Sequence, residues 1–220
     1  MSHTNPGSYR TAAARSLKDQ PEVREAVGSA TRTFDARRIH AYSQIDIERW
    51  RDWARDVKTH SLSHLDRYLE QAEERLTANG VHVHWAETAA DALRVLAGVV
   101  DAHGVRTVVK GKSMLTEELR VNEHLEHMDV HVRETDLGEY IIQLLGEPPS
   151  HIVGPAIHKS LEDCQQLFHE HLGTPLDAEP DALAGAARDA LRQEFLAADL
   201  GISGGNFLAA ETGTLALIEN

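Results

Sequence analysis

The most constraining feature of this 220-residue sequence is a change of rhythm at Gly80. Before it, apolar residues recur every three or four positions, as on one face of a helix. After it comes an alternating, strand-like run, Val81-His82-Val83-His84-Trp85, and then Thr88 is placed to cap a helix that ends before Gly104. Strand and helix patterns continue to alternate. The sequence therefore predicts an α/β fold, with a mostly parallel sheet and flanking helices.

The other elements are predicted from the same two periodicities. Strands are expected at 107–109, 130–132 and 200–203, with two strand-like runs at 207–210 and 214–218. Helices are expected at 21–40, 46–79 (one helix or two in line), 115–125, 161–171 and 181–197. We divide the chain into a flexible segment at 1–20, a helical arm at 21–79 and an α/β domain at 80–220.

Two apolar groups of side chains are expected to be buried. The first is a stripe on the helical arm, which needs a partner to cover it: Trp50, Trp53, Leu65, Leu69 and Leu76. The second is the run 215–218, which is typical of a buried strand although the sequence stops two residues later. We therefore expect that this sequence is cut within a domain or that a terminal strand pairs there.

Composition narrows the range of functions. The 35 acidic and 22 basic side chains give a net charge of −13, which disfavours nucleic-acid binding. No stretch is long and apolar enough to span a membrane, and the first residues lack the apolar region of a secretory signal. The single cysteine, Cys164, fits a reducing compartment and cannot by itself hold an iron–sulfur cluster. We expect a cytoplasmic protein.

A basic turn follows the first parallel strand. The run Lys110-Gly111-Lys112-Ser113 places two ammonium groups and a hydroxyl between a strand and a helix, where backbone amides favour an anion. It is similar to the end of a nucleotide P-loop, but Arg106 stands where the P-loop requires a glycine, so we reject a nucleotide triphosphatase. A small-anion site and a pair of solvated lysines are the two remaining interpretations.

An acidic turn follows the next strand. Glu134, Asp136 and Glu139 lie beside Gly138, at the place where open α/β sheets form their ligand crevice, so they could perform acid–base chemistry. In the other interpretation, which the residues alone favour, Thr135 or Asp136 caps the next helix and Glu139 lies in its first turn.

A glycine-rich turn follows the third strand. Gly204 and Gly205 would let the backbone approach a ligand closely, and Asn206 comes next. Because ligand crevices form beyond the carboxyl ends of parallel strands, the basic, acidic and glycine-rich turns should converge on one edge of the sheet. His151 and Glu211 are candidates for the walls of that site, and Glu211 could be a nucleophile, a base or a turn residue.

Histidine is abundant, with 14 copies. His82 and His84 share one face of a predicted strand, and His60 and His64 lie one helical turn apart, so both spacings would suit a metal. Neither pair has an evident third ligand nearby in the sequence. We therefore predict no metal site.

Five blocks of the chain together resemble the lactate utilization protein B family. They begin with the basic and acidic turns and end beyond the glycine-rich turn, and they cover 110–118, 122–123, 134–141, 149–159 and 205–214. The blocks have the order and spacing of that family, and the resemblance extends over most of the chain from about Glu22 onward.

This resemblance implies a lactate-utilization domain with a fold like that of coenzyme A transferases and sugar-phosphate isomerases. Family members are the iron–sulfur subunit of a three-protein complex that oxidises L-lactate to pyruvate. Their full-length chains carry, after this domain, two cysteine runs for four-iron four-sulfur clusters. This sequence contains neither run, so we expect no cofactor in this chain. The resemblance also implies that the domain continues beyond Asn220, so we expect a domain truncated at its C-terminus.

Two functions are compatible with the resemblance. In the favoured one, the chain is a fragment of the electron-transfer subunit, its partners are the other subunits of the complex, and its pocket binds a small carboxylate or phosphate without activity of its own. In the alternative, the chain is a transferase-like or isomerase-like enzyme, in which Glu211 reacts and Lys110 or Lys112 holds the substrate.

Overall fold

A computed structural model describes residues 10, 11, 14, 18, 21–147, 149 and 154–218. The helices are α1 (Pro21–Tyr42), α2 (Ile47–Ser63), α3 (Leu65–Ala78), α4 (Ala89–His103), α5 (Met114–Glu118), α6 (Val121–Glu126), α7 (Leu137–Leu145), α8 (Leu161–Leu172) and α9 (Pro180–Ala197). The strands are β1 (Thr107–Lys110), β2 (His131–Glu134), β3 (Leu200–Ile202), β4 (Phe207–Ala209) and β5 (Thr214–Ala216). None of the described helices is both long and apolar enough to cross a bilayer.

The chain divides into two compact units. One unit is formed by Met1–Asp46 and Ile141–Ala186, and it contains α1 and α8. In this unit α8 begins at a capping box made by Ser160 and Asp163, and its Phe168 is buried. The other unit is formed by Ile47–Tyr140 and Ala187–Asn220, and it contains the strands described below. The domain limits predicted at residues 20 and 79 remain a prediction.

Three strands of the second unit form a parallel sheet in the order β2-β1-β3. Val108 in the central strand lies opposite Val132 on one side and Leu200 on the other. Parallel neighbours need a crossover connection, and the connection from β1 to β2 contains α5 and α6. The predicted α/β class, with a parallel sheet and flanking helices, is confirmed. A likeness to coenzyme A transferases stays a prediction.

The core of this unit lies around the central strand. Two of its buried members, Val108 and Val132, lie in the strands, where valine suits a sheet covered on both faces. The others lie in the flanking helices and loops: Val100, Val105, Val121, Leu125 and Val130. Leu125 of α6 is fully buried, so this short helix packs its apolar side on the sheet. The helix predicted at 115–125 is in fact two helices, because Arg120 adopts a left-handed conformation with φ 55° between them.

Local capping signals set the limits of α4. The Thr88 side chain accepts a hydrogen bond from the Asp91 amide, and the Asp91 carboxylate accepts one from the Thr88 amide. At the other end, Gly104 has φ 61°, the left-handed conformation in which helices commonly stop. The predicted start and stop of this helix are both confirmed.

Asp199 joins the beginning of β1 to the beginning of β3. Its carboxylate accepts hydrogen bonds from the backbone amides of Arg106 and Thr107, at 2.9 and 3.0 Å, and from the Thr107 hydroxyl. The amides of Arg106 and Thr107 and the Thr107 hydroxyl lower the pKa of Asp199. This contact aligns β1 and β3 at their amino-terminal ends, opposite the ends at which the turns after the strands lie.

Two expectations about strands are wrong. The run from Val81 to Trp85 forms no strand, and these two side chains are 45% and 59% exposed. Alternation alone does not produce a strand without a neighbour to accept its hydrogen bonds. The run 215–218 is not buried either, since Leu215 and Ile218 are 54% and 65% exposed. The alternative that a terminal strand pairs there is confirmed, because β5 pairs with β4 in an antiparallel hairpin, whose residues are exposed.

The stretch 46–79 of the helical arm forms as two helices, α2 and α3, but the expected burial of its tryptophans is wrong. Trp50 and Trp53 are 53% and 60% exposed, and their rings contact each other edge to face. In α2 no residue is buried, whereas Ala72 of α3 is. The periodicity predicted an apolar face correctly, but among the described residues no element covers the part of that face on α2.

Candidate functional site

The turns after β1, β2 and β3 lie at the same edge of the sheet, which we call the carboxyl edge, because the three strands are parallel neighbours. Thr135 in the second turn donates its amide hydrogen to the Lys110 carbonyl at 3.0 Å. A Cβ atom on Gly204 in the third turn would lie 3.4 Å from the Ser113 side chain in the first. The basic, acidic and glycine-rich turns therefore converge.

Lys110 is the most buried charged residue of this edge, with no exposed surface. Its Nζ atom lies 2.9 Å from Oε1 of Glu134 and 3.0 Å from Oε1 of Glu117, and it also donates to the Thr116 hydroxyl. Burial opposes the charge on the ammonium group, but these two carboxylates outweigh it, and the pKa of Lys110 is raised. The ammonium group is therefore charged and held by the carboxylates of the protein itself.

Glu134 ends β2 and is almost fully buried. The side-chain amide of Asn122 in α6 donates to the same Oε1 atom that receives Lys110, at 2.6 Å. Asn122, Thr116 and Glu117 were not among the predicted site residues. All three lie inside blocks that carry the family resemblance, which is the signal that could have identified them.

Asp136 caps the helix that follows the acidic turn. Its carboxylate oxygen Oδ1 accepts hydrogen bonds from the backbone amides of Gly138 and Glu139, at 3.1 and 3.3 Å. The interpretation of Asp136 as a cap, with Glu139 in the first turn of α7, is confirmed. A role of Asp136 in ligand binding stays a prediction.

Glu139 is buried, with 7% of its surface exposed. Burial raises the pKa of Glu139, and the nearby carboxylates of Glu134 and Glu117 raise it further. Lys112 and Lys110 act in the opposite direction, but the balance leaves the pKa above the ordinary glutamate value. We call Lys110, Lys112, Glu117, Glu134 and Glu139 the Lys110 cluster.

The rest of the basic turn supports this cluster. Lys112 is half-buried, and its charge acts on Glu139. Ser113 caps α5, since its hydroxyl accepts a hydrogen bond from the Thr116 amide at 3.4 Å. Gly111 fits against the third turn and donates its amide hydrogen to the Ile202 carbonyl at 2.8 Å.

The glycine-rich turn leads directly into the hairpin of β4 and β5. A Cβ atom on Gly205 would lie 2.6 Å from Cδ1 of Leu215, so a larger residue there would displace that side chain. The Asn206 side-chain oxygen accepts a hydrogen bond from the Ile218 backbone amide at 2.8 Å. The backbone amide of Asn206 donates to the Ala216 carbonyl. Asn206 therefore fastens the hairpin, and a ligand role for it stays a prediction.

Glu211 lies in the exposed turn between β4 and β5. There it lines a pocket of about 590 Å³ together with residues of the hairpin and of two helices: Ser61, Leu65, Tyr68, Leu69, Gln71, Ala72, Leu208, Ala209 and Ala210. The lining of this pocket contains no member of the Lys110 cluster. His151, the other candidate for a wall of the site, lies outside the described residues.

The residues present do not fit an iron–sulfur cluster. Such clusters are normally held by four cysteines, and this chain has one, Cys164 in α8, which is partly buried. Burial and the charge of Asp163 raise the pKa of the Cys164 thiol, which disfavours the thiolate form that binds metals. Within the described residues, no group of three or more histidine, cysteine, aspartate or glutamate side chains could hold a metal ion.

Comparison with known proteins assigns the part of the chain that contains this site to a family. The model of the LUD domain matches residues 69–220, which include the whole Lys110 cluster. The chain is 42% identical over 218 residues to the uncharacterized electron transport protein YkgF of Escherichia coli K12, covering 99% of this chain and 46% of that protein. It is 43% identical over 204 residues to lactate utilization protein B of Bacillus licheniformis, covering 92% and 43%.

A third relative gives the same result. Lactate utilization protein B of Macrococcus caseolyticus is 40% identical over 215 residues, covering 97% of this chain and 45% of that protein. The chain thus spans less than half the length of these curated relatives. No solved structure matches the chain. The family model covers more than half of the sequence, and the chain therefore belongs to the LUD domain family.

Proposed function

We propose that this chain is the carboxylate-binding part of an electron-transfer subunit that serves the oxidation of L-lactate to pyruvate. Relatives named for electron transport and for lactate utilization align with almost the whole chain. The chain itself supplies a binding domain, and we assign it no catalytic activity alone.

The observation that carries this proposal is the burial of Lys110 between Glu134 and Glu117 at the carboxyl edge, where three turns meet. Taking an ion pair out of water is costly, and apolar residues of similar size often give equal or greater stability. A function at this edge is a reason to keep these charges, since open α/β sheets bind their ligands there.

The ligand that suits this edge is a small carboxylate such as lactate or pyruvate. The Lys110 cluster contains two ammonium groups and three carboxyl groups, so a ligand of one negative charge is easier to accept than a phosphate of higher charge. Lys112 is the cation we assign to the ligand, because it lies half-buried in the basic turn at the carboxyl edge.

The electron-transfer half of the function belongs to other parts of the protein. We propose that two four-iron four-sulfur clusters are bound in the remaining length of the relatives, since the single cysteine of this chain does not fit such a cluster. We also propose the other subunits of a lactate utilization complex as partners, in the cytoplasm.

A second candidate function is transferase-like or isomerase-like chemistry at Glu211. It is favoured by the pocket that Glu211 lines with Tyr68 and Gln71. The Glu211→Gln variant tests it directly. If Glu211 is catalytic, the variant should lose any turnover of a small carboxylate substrate. If the chain only binds its ligand at the Lys110 cluster, the variant should bind a carboxylate with unchanged affinity.

Growth on L-lactate tests the proposed role. A strain of the source organism that lacks the gene should fail to grow on L-lactate as the sole carbon source and should grow normally on pyruvate. The intact gene should restore growth, and the Lys112→Ala gene should restore it incompletely. Normal growth of the deleted strain on L-lactate would overturn the proposal.

A further inference from the structure

We propose that an apolar stripe on α2 is a dimerisation surface, against which α2 of a second copy of this chain packs in the antiparallel direction. The stripe consists of Trp50, Trp53 and Val57. This inference is independent of the proposed function, because the Lys110 cluster contains no residue of α2. It assigns a partner to a surface that the described part of the chain leaves uncovered.

The stripe exposes two large aromatic side chains next to each other. Trp50 and Trp53 are each more than half exposed, Val57 is nearly half exposed, and no residue of α2 is buried. The two rings contact each other edge to face, with 5.6 Å between their centroids, so they form one continuous patch. Tryptophan is usually well buried in folded proteins and is enriched at the centres of protein interfaces. A patch of this kind indicates a surface that another chain covers.

The spacing within the stripe suits a pair of helices. Its members are three and four positions apart, as are the contact positions of two helices that pack along their length. The next position in this series is His60, whose ring hydrogen-bonds to the Tyr68 hydroxyl at 2.9 Å and contacts the ring of His64 in the same chain. The stripe that a partner can cover is therefore about two helical turns long, from Trp50 to Val57.

Charges on one flank of the stripe select a second copy as the partner. Arg49 and Asp56 are seven residues apart, so they lie on the same flank of α2, and both are exposed. A twofold axis between antiparallel helices brings the same flank of each helix together. Arg49 of each copy then faces Asp56 of the other, and in the same register Trp50 of each copy lies against Trp53 of the other.

The opposite flank fits the same arrangement. It contains Ile47 and Ala54, which meet each other in the antiparallel pair without a charge between them. A parallel pair would instead place Arg49 beside Ala54 of the other copy and Asp56 beside Ser61, with no ion pair on either flank. The distribution of charge therefore favours the antiparallel direction.

Asp56 can reach a cation on a second copy. Within its own chain its carboxylate lies 3.6 Å from Nε of Arg55, and Arg55 is held more closely by Asp52, at 2.8 Å. The Asp56 side chain is also largely exposed. Turning it towards Arg49 of another copy therefore gives up only a weak contact.

Sedimentation velocity of the full chain over a range of protein concentrations tests the proposal. Because a surface of this size gives a weak dimer, we expect monomer at about 1 μM and mostly dimer at about 500 μM. The tryptophan emission should move to shorter wavelength over the same range, since two of the rings leave water when the dimer forms.

Two tryptophan variants locate the interface. Trp53→Ala removes a ring from the stripe and should raise the midpoint concentration for dimerisation by about tenfold or more, as expected for an aromatic residue at the centre of an interface. Trp85→Ala is the matched control, because it removes an equally exposed ring outside α2 and should leave the midpoint unchanged. A dimer that Trp53→Ala does not weaken, or that both variants weaken equally, would overturn the proposal.

A charge exchange at low ionic strength tests the antiparallel direction. Arg49→Glu and Asp56→Arg each place like charges opposite each other twice in the homodimer, so each should raise the midpoint by about fivefold or more. An equimolar mixture of these two variants should recover the dimer, because both pairs across the interface again have opposite charges. The double variant Arg49→Glu with Asp56→Arg should recover it for the same reason.

The remaining outcomes contradict the proposal. A chain that stays monomeric at the highest concentration leaves the stripe to a different occupant, such as another protein or a further part of a longer chain. A dimer that neither charge variant weakens pairs its helices in another way. Loss of the dimer in both charge variants without recovery in their mixture would show that Arg49 and Asp56 do not face each other.

Discussion

Lys110 ends a strand whose preceding residues are valines, and it has no exposed surface. Replacing it with methionine would keep most of the volume and leave Glu134 as a buried carboxylate without its cation. We expect Lys110→Met to lower the free energy of unfolding by about 3–5 kcal/mol, measured by urea unfolding at neutral pH.

A surface ion pair provides the matched control for this variant. Arg55 pairs with Asp52 at 2.8 Å, but both side chains are largely exposed, so Arg55→Met should cost about 1 kcal/mol or less. The double variant Lys110→Met with Glu134→Gln should recover part of the loss. Equal costs for Lys110→Met and Arg55→Met would contradict the assignment of Lys110 as the buried centre of the cluster.

Glu139 should make the stability of the chain depend on pH. Because its pKa is raised in the folded state, the folded chain binds this proton more tightly than the unfolded chain. The free energy of unfolding should therefore fall as pH rises from the ordinary glutamate value through the folded-state pKa. Glu139→Gln should remove that part of the pH dependence, and an unchanged pH profile for this variant would contradict the stated cause.

At the scale of elements, the hairpin of β4 and β5 packs its turn on the end of α3. The Asn79 side-chain amide donates to the Thr212 carbonyl at 3.0 Å. Gly213 has φ 66°, and a Cβ atom on it would lie 3.0 Å from the backbone nitrogen of Leu76. The backbone of α3 cannot shift easily, so this position requires glycine.

We expect Gly213→Ala to lower the free energy of unfolding by about 1–3 kcal/mol, from the strained backbone and the contact with α3 together. Gly98→Ala is the control, because Gly98 lies inside α4 and a Cβ atom there meets no atom within 4 Å. That variant should gain about 0.5–1 kcal/mol. A Gly213→Ala variant as stable as Gly98→Ala would show that the hairpin does not pack on α3.

The three tryptophans report on the surfaces of two segments, α2 and the run before α4. Trp50, Trp53 and Trp85 are each more than half exposed. We expect the fluorescence of the full chain to be emitted at the long wavelengths of hydrated tryptophan and to be quenched readily by acrylamide. Emission at short wavelength with protection from the quencher, at all protein concentrations, would contradict the exposed position of these side chains.

Across the whole molecule, the features that the sequence could predict are those set by residues close together on the chain. Thr88 and Gly104 act on their own helix, so the limits of α4 could be predicted from local residues. The convergence of the three turns could be predicted as well, because it follows from parallel strands. The burial of the Lys110 ammonium group could not be predicted, since it depends on an ion pair with Glu134, a residue on another strand.

The failed expectations have the same physical origin. The apolar pattern at Trp50 and Trp53 and the alternation over 81–85 are each a property of a single segment. Burial and strand pairing depend instead on two segments that contact each other. The single segment contained no information about what would cover it. Asn122 was missed for a related reason, because its importance lies in the hydrogen bond to Glu134 and not in its own neighbourhood on the chain.

The location of the binding site is the central claim about the molecule, and backbone amide NMR of the full chain during a titration with L-lactate tests it most directly. We expect the largest shifts at residues 110–113, 134–139 and 203–205, and we expect Lys112→Ala to weaken binding by about 1.5–3 kcal/mol. Shifts confined to the pocket lined by Ser61, Tyr68 and Glu211, or no shifts at any lactate concentration, would contradict a carboxylate site at the Lys110 cluster.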